Sequence, residues 1–272
     1  MNWDAHIIKP LSRGFFLHFL KRCVCVLFCF FLNQLAVFSQ NELTNESFEI
    51  GEKLEYELIY QWGLIWSRAG QVVFTVQDTV VLGEKFYKLE GHGNSYSHWN
   101  WFYEVNSRYT SFADENLNSL SFTRKGKEGS NVYNRRYDVK PDGIYFTDYN
   151  LKGDTVYKLI KPDLNAKDVV TAMYFCRTLD FENRAVNDTI QLNFYLDGKH
   201  YPSYIRYLGE TVWEHPKTGA KYDCYVFKPK LIEGTVFKSG ENMTVYATRD
   251  KFKIPIYIET DLVVGKAKVF LK

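Results

Sequence analysis

From residue 54 to residue 271 the chain is written mostly in period two, and that alternation commits it to strands. Leu54, Tyr56, Leu58 and Tyr60 alternate with Glu55 and Glu57, and a second run over 72–76 follows after Gly63 and Gly70. Comparable runs lie at 86–90, 99–111, 120–124, 132–139, 144–149 and 155–160. Pro141-Asp142-Gly143 and Lys152-Gly153-Asp154 separate the later ones with turn chemistry, glycine supplying the positive φ a tight hairpin needs. Further runs at 189–196, 204–208, 221–230, 243–248, 254–259 and 266–271 bring the expectation to roughly thirteen to fifteen strands. Twenty tyrosines against 3 methionines agree, because aromatic side chains suit a half-buried pleated surface.

One stretch breaks the alternation. Val169, Ala172, Met173 and Cys176 follow the i, i+3, i+4, i+7 spacing of a helix face and predict one short helix near 168–179. Asp163 or Asn165 is the expected N-cap, with Asp168 near the positive end of the helix dipole. A sheet of so many strands has edges to protect, and curling or closure does so. The expected fold is therefore mainly β: one large curved antiparallel sheet, an open barrel or clam, with the helix packed on it. It spans residues 48–272 as a single β-rich domain, or as two sheet halves divided near 161–180.

The first 39 residues read as a secretory signal. Lys21 and Arg22 precede an unbroken apolar run from Cys23 to Leu32, and Val37-Phe38-Ser39 places a small residue before Gln40, as at a signal-peptidase site. The apolar run is shorter than the ~20 residues that span a bilayer, so a cleaved signal is read over a retained anchor. Residues 40–47 then form a short N-terminal tail, and the membrane is met only in transit. Cleavage removes Lys9, Arg13, Lys21, Arg22 and Asp4, taking the formal +2 to about −1. A nearly neutral chain without a Lys/Arg cluster is not a nucleic-acid partner.

Cys176 and Cys224 are the cysteines left after cleavage, and an exported protein allows either one disulfide between them or two buried thiols. His92, His98, His200 and His215 remain too, in no metal-ligand spacing, so neither a metal nor any other cofactor is expected.

Three short motifs together resemble the domain of unknown function 3108 family. They are Gly51-Glu52-x-Leu54-x-Tyr56 with Gly63 and Gly70, the run from Asp168 through Ala172 to Arg177, and Ala247-Thr248-Arg249-Asp250 leading to Ile254-Pro255-Ile256. The resemblance covers roughly residues 48–270. It implies a mostly β protein exported by a Gram-negative bacterium to the periplasm or outer envelope, and it carries no established reaction or ligand. Physical roles suffice for the motif positions: Gly63 and Gly70 for a turn or bulge, Asp168 for a cap, and Arg177 for last-turn carbonyls or a pair with Asp250.

The richest chemical cluster is 91–103. Read as a strand, it projects Trp99, Trp101 and Tyr103 to one face and His98 to the other, an aromatic row suited to an apolar or carbohydrate-like ligand. The same row also fits an ordinary core. No nucleophile elbow, phosphate loop or zinc-protease motif occurs, so no catalytic residue is assigned. Three functions follow as expectations. The first is non-catalytic binding of a lipid, a glycan or an envelope protein on the curved sheet; the alternatives are a hydrolase of envelope glycan and a structural or assembly partner.

Overall fold

Eight strands form the first half of the sheet in the computed structural model, each antiparallel to the one before. They are β1 (Lys53–Trp62), β2 (Ile65–Val81), β3 (Glu84–Ser95), β4 (Val105–Ala113), β5 (Ser119–Glu128), β6 (Asn131–Lys140), β7 (Gly143–Asp148) and β8 (Val156–Ile160). Described are residues 46–81, 84–149, 153–161, 163, 165–232 and 240–272; the expected signal and nearly all of the tail lie outside them. The β3–β4 connection carries a 3-10 turn, Ser97–Trp99, and a four-residue helix, α1 (Asn100–Tyr103).

After β8 the chain leaves the sheet, forms α2 (Val169–Thr178), and returns at the opposite edge as β9 (Thr189–Gln191). A separate small hairpin, β10 (Phe194–Leu196) and β11 (Lys199–Tyr201), comes next. Then β12 (Tyr204–Glu214), β13 (Lys221–Pro229), β14 (Met243–Thr248), β15 (Pro255–Asp261) and β16 (Lys266–Leu271) meander back until β16 pairs with β1, Tyr56 opposite Leu271. The result is one open 14-stranded antiparallel sheet, β8-β7-β6-β5-β4-β3-β2-β1-β16-β15-β14-β13-β12-β9.

Helix α2 packs where both arms of the sheet meet it. Val170 and Tyr174 join Val76, Leu89, Phe122, Tyr137 and Tyr195 in one buried cluster. Ala172 joins Phe181, Ile205, Tyr225 and Phe227 in the other. Aromatic rings do much of the filling: Phe122 and Tyr195 lie 5.4 and 5.2 Å from Tyr137, and Phe181 stacks on Phe227 at 5.5 Å. The concave side is thus packed by side chains, not left as a ligand chamber. A shallow cleft of about 170 Å³ lies elsewhere, between Ile59, His215, Pro216 and Phe270.

Several expectations are corrected. The N-cap of α2 is Asp168 itself, not Asp163 or Asn165; its Oδ1 accepts from the N–H groups of Val170 and Thr171, both at 2.9 Å. The run 189–196 is not one strand. The backbone beside Phe194 is claimed by Lys167, which receives Tyr195 N–H on its carbonyl and gives its own N–H to Asn193 O, so β10 leaves the sheet that holds β9.

The run 99–111 is not one strand either. Trp99 N–H closes a turn on Tyr96 O, and Ser95 Oγ accepts Val105 N–H at 2.8 Å, so side chain and turn capture the backbone and the ladder resumes only at Val105. Trp99, Trp101 and Tyr103 therefore do not share a strand face. Cys176 and Cys224 are not bonded to each other: both are free thiols, Cys176 on α2 and Cys224 on β13.

Candidate functional site

The three sequence motifs meet around one guanidinium. Arg177, 1% exposed, donates from Nη1 and Nη2 to the two carboxylate oxygens of Glu52 at 2.6 and 2.8 Å, from Nη2 to Ser47 O, and from Nε to Phe252 O. The last of these carbonyls belongs to the turn before Pro255, at the start of β15. Asp250 Oδ1 folds that turn, accepting from Thr248 Oγ1 and from the N–H groups of Phe252 and Lys253. The expected Arg177–Asp250 pair is thus replaced by Arg177–Glu52, and Asp250 acts on the turn. Tyr56 is buried beside this group, edge-on to Phe74, and burial pushes its hydroxyl well above its ordinary pKa. All of this is interior and holds the two ends of the sheet to the helix.

Gly51 and Glu52 dock on β2 through paired hydrogen bonds with Val76. Gly70 stands where Ala69 is the extra residue of a bulge, Leu58 facing Gly70 and Ile59 facing Arg68. A Cβ on Gly70 would come within 2.4 Å of Asn94 O, so the close approach of β3 requires glycine.

The surface that could meet another molecule is at one end of the sheet. Three neighbouring connections, β3–β4, β1–β2 and β15–β16, emerge there from six consecutive strands. Gly63, at φ +56, turns the two-residue β1–β2 loop and lifts Leu64, which is 99% exposed, between Trp62 and Ile65. Trp101 is 83% exposed on α1, with Phe102 beside it; Val263 and Val264 crown the β15–β16 loop.

Tyr60 ties the three together. Its ring lies 5.2 Å from Trp99 and 6.2 Å from Phe102, and its hydroxyl donates to Val264 O at 3.1 Å. Trp62, Trp66, Trp99 and Trp101 all lie at this end, four of the five tryptophans after residue 45.

Charge is excluded from the tips. Residues 62–66, 97–103 and 262–265 contain no Asp, Glu, Lys or Arg. The first charges appear just down the strands, already paired: Arg68 with Glu57, Lys127 with Glu104 at 2.6 Å, and Lys266 with Glu259 and Asp261 at 3.2 and 3.4 Å. Lys268 lies 4.4 Å over the Trp66 ring.

Of the residues singled out by sequence, Trp99 and Trp101 belong to this rim. Tyr103 turns inward, and a Cβ on Gly129 would touch its ring. His98 is exposed, with Nε2 2.9 Å from Arg68 O. Leu64, Ile65, Trp62 and Trp66 were not singled out. Their signal was an uncharged Trp-Gly-Leu-Ile-Trp at a hairpin tip, where polar residues are usual.

The family model for DUF3108, described as a protein of unknown function, matches residues 55–272. The chain belongs to the DUF3108 family. The motifs converging on Arg177 thus fall largely within the span by which this DUF3108 chain matches its family, while Glu52 and Ser47 lie just before it. No curated protein matches the chain. Among solved structures, the fold is similar to a beta-barrel-like protein of domain of unknown function DUF1849 from Brucella abortus. That likeness has 10% identity and a TM-score of 0.50 over 82% of this chain and 96% of that one, and it bears on fold alone.

Chemistry of other kinds has little geometry behind it. Among the described residues, no three His, Cys, Asp or Glu side chains gather as metal ligands. His200 Nε2 lies 2.8 Å from Asp163 Oδ2, but Asn193 Nδ2 also donates to that oxygen, and the group ties the β10–β11 hairpin to the segment before α2.

Proposed function

We propose that this DUF3108 protein is an exported cell-envelope protein that binds an apolar component of the envelope, without catalysis, through the rim of loop tips around Trp101 and Leu64. The observation that carries the reading is the gathering of exposed Trp, Leu, Ile, Phe and Val side chains on three adjacent connections that hold no formal charge. Isolated exposed apolar residues are ordinary, whereas a contiguous uncharged patch marks a contact surface. Export rests on the basic step at Lys21-Arg22, the apolar run behind it and the small residue at Ser39. The packed concave side argues against a small ligand held inside the sheet, and moves the binding surface from a strand face to the sheet end.

Native mass spectrometry of the protein recovered from the periplasm of an expressing bacterium tests the reading. A co-purifying lipid or apolar molecule that disappears with Trp101→Ala, while the melting temperature stays the same, is the expected result. An adduct that survives Trp101→Ala and Leu64→Ser together places binding elsewhere and overturns the assignment to the rim.

A further inference from the structure

We propose that the rim seats the protein on the surface of a lipid bilayer, with Leu64 and Trp101 entering the acyl boundary and the charges below them lying among the headgroups. The inference rests on reading the rim as the binding surface and names its partner.

Shape comes first. The most exposed apolar side chains stand on separate convex tips, Leu64 on a two-residue turn and Trp101 on a single helical turn. A small ligand is gripped by concavity, and a protein partner needs a matched surface. A fluid hydrocarbon boundary receives protruding side chains of any shape.

Charge is layered in the same sense. The tips carry no Asp, Glu, Lys or Arg, so nothing charged has to leave water when they enter hydrocarbon. Immediately beneath, Arg68–Glu57, Lys127–Glu104 and Lys266–Asp261 form a belt of neutralised pairs, matched to headgroups that themselves carry both signs. Between the layers lie rings with a polar edge, Tyr60, Trp66 and Trp99, the residue types that favour a membrane–water interface. Loop tips reach only the outer ~5–10 Å of a leaflet, which is docking and not spanning. Among the described residues no helix is long and apolar enough to cross a membrane.

The test uses Asn45–Lys272, a compact unit containing both buried clusters and the Arg177 network, so that the preceding apolar segment contributes nothing. Phosphatidylcholine vesicles with brominated acyl chains are the probe, and because four of its five tryptophans are in the rim, fluorescence reports mainly on that end. Co-flotation with vesicles and quenching by bromine are expected. Leu64→Asp and Trp101→Asp should each weaken partitioning by about tenfold or more, since each forfeits the burial of a large apolar side chain. Tyr157→Asp, on the β8 edge, should leave it unchanged.

Adding phosphatidylglycerol should change binding less than about threefold, because the belt is charge-balanced. Failure of the unaltered unit to float overturns bilayer docking. If a single bound lipid is then still seen by native mass spectrometry and is lost with Trp101→Ala, the rim survives as an apolar-ligand site and only the bilayer is rejected. If Leu64→Asp instead converts a dimer to a monomer by light scattering and vesicles remain unbound, a second copy covers the rim and the proposal is wrong.

Discussion

Arg177 on α2 and Glu52 ahead of β1 form a two-pronged ion pair at 2.6 and 2.8 Å, joining residues 125 positions apart in a place almost closed to water. The guanidinium also takes two backbone carbonyls, so its charge is satisfied from the start of the domain and from the β14–β15 turn at once. That is the contact by which the helix, the first strand and the last part of the sheet share one anchor.

Removing one partner leaves the other charge buried without its counter-ion, which typically costs about 3–5 kcal/mol. Arg177→Met should lower unfolding free energy by that order in urea titrations. Glu52→Gln, which keeps a hydrogen-bond acceptor, should cost less. A loss below about 1 kcal/mol for Arg177→Met would mean that the carbonyl contacts and packing, not the pair, hold the helix.

Asp168 is fully buried and accepts from Ser111 Oγ, Ser119 Oγ and Thr171 Oγ1, as well as from the two cap N–H groups. Asp168→Ala loses a cap worth about 1 kcal/mol and leaves buried hydroxyls on β4 and β5 unpaired, for a total of about 3 kcal/mol. Asp168→Ser should recover part of the cap but not the cross-links to Ser111 and Ser119. Equal stability for the Ala and Ser variants would show that capping contributes little here.

Burial pushes the Cys176 thiol up to about 12 and the Cys224 thiol up to about 11. With so little thiolate at pH 8, neither should react with an aromatic disulfide reagent in the folded protein, and both should react in guanidinium. Intact mass after air oxidation should retain both thiol hydrogens. Rapid labelling of the native protein is the contrary outcome.

Asp163 is pushed up by partial burial, but donors from Asn193 and the Asn165 N–H, with His200 alongside, outweigh this and hold its pKa below the ordinary value of 3.8. A carboxylate depressed on folding adds stability above the unfolded pKa and loses it as pH falls through the folded one. The stability gap between the protein and Asp163→Asn should therefore be flat from neutral pH to about 5 and shrink below about 4. A gap that widens on acidification would contradict the assignment.

Much of the architecture was legible because a strand's period is local. The alternations around Tyr56, Phe122, Tyr137 and Ile144 put these residues in the core, and one apolar helical stripe located α2. Asp168, Gly70 and Asp250 were recognisable for a related reason, since a cap, a bulge and a side-chain-folded turn are written in a few adjacent residues. The aromatic run at 99–103 misled because alternation over so short a stretch fits a strand and a helical turn equally well, and the hydrogen bond from Val105 N–H to Ser95 Oγ decided between them.

The sequence by itself determined that this chain makes strands, one substantial helix and tight turns, because those follow from side-chain period, β-branching and glycine. Only the tertiary structure decided that Arg177 takes Glu52 instead of Asp250, that Cys176 and Cys224 stay apart, and that Leu64 and Trp101 stand at one end of one sheet. Each depends on which strands become neighbours. In a meander that closes β16 onto β1, that order brings together residues some two hundred positions apart, Tyr60 and Val264 among them.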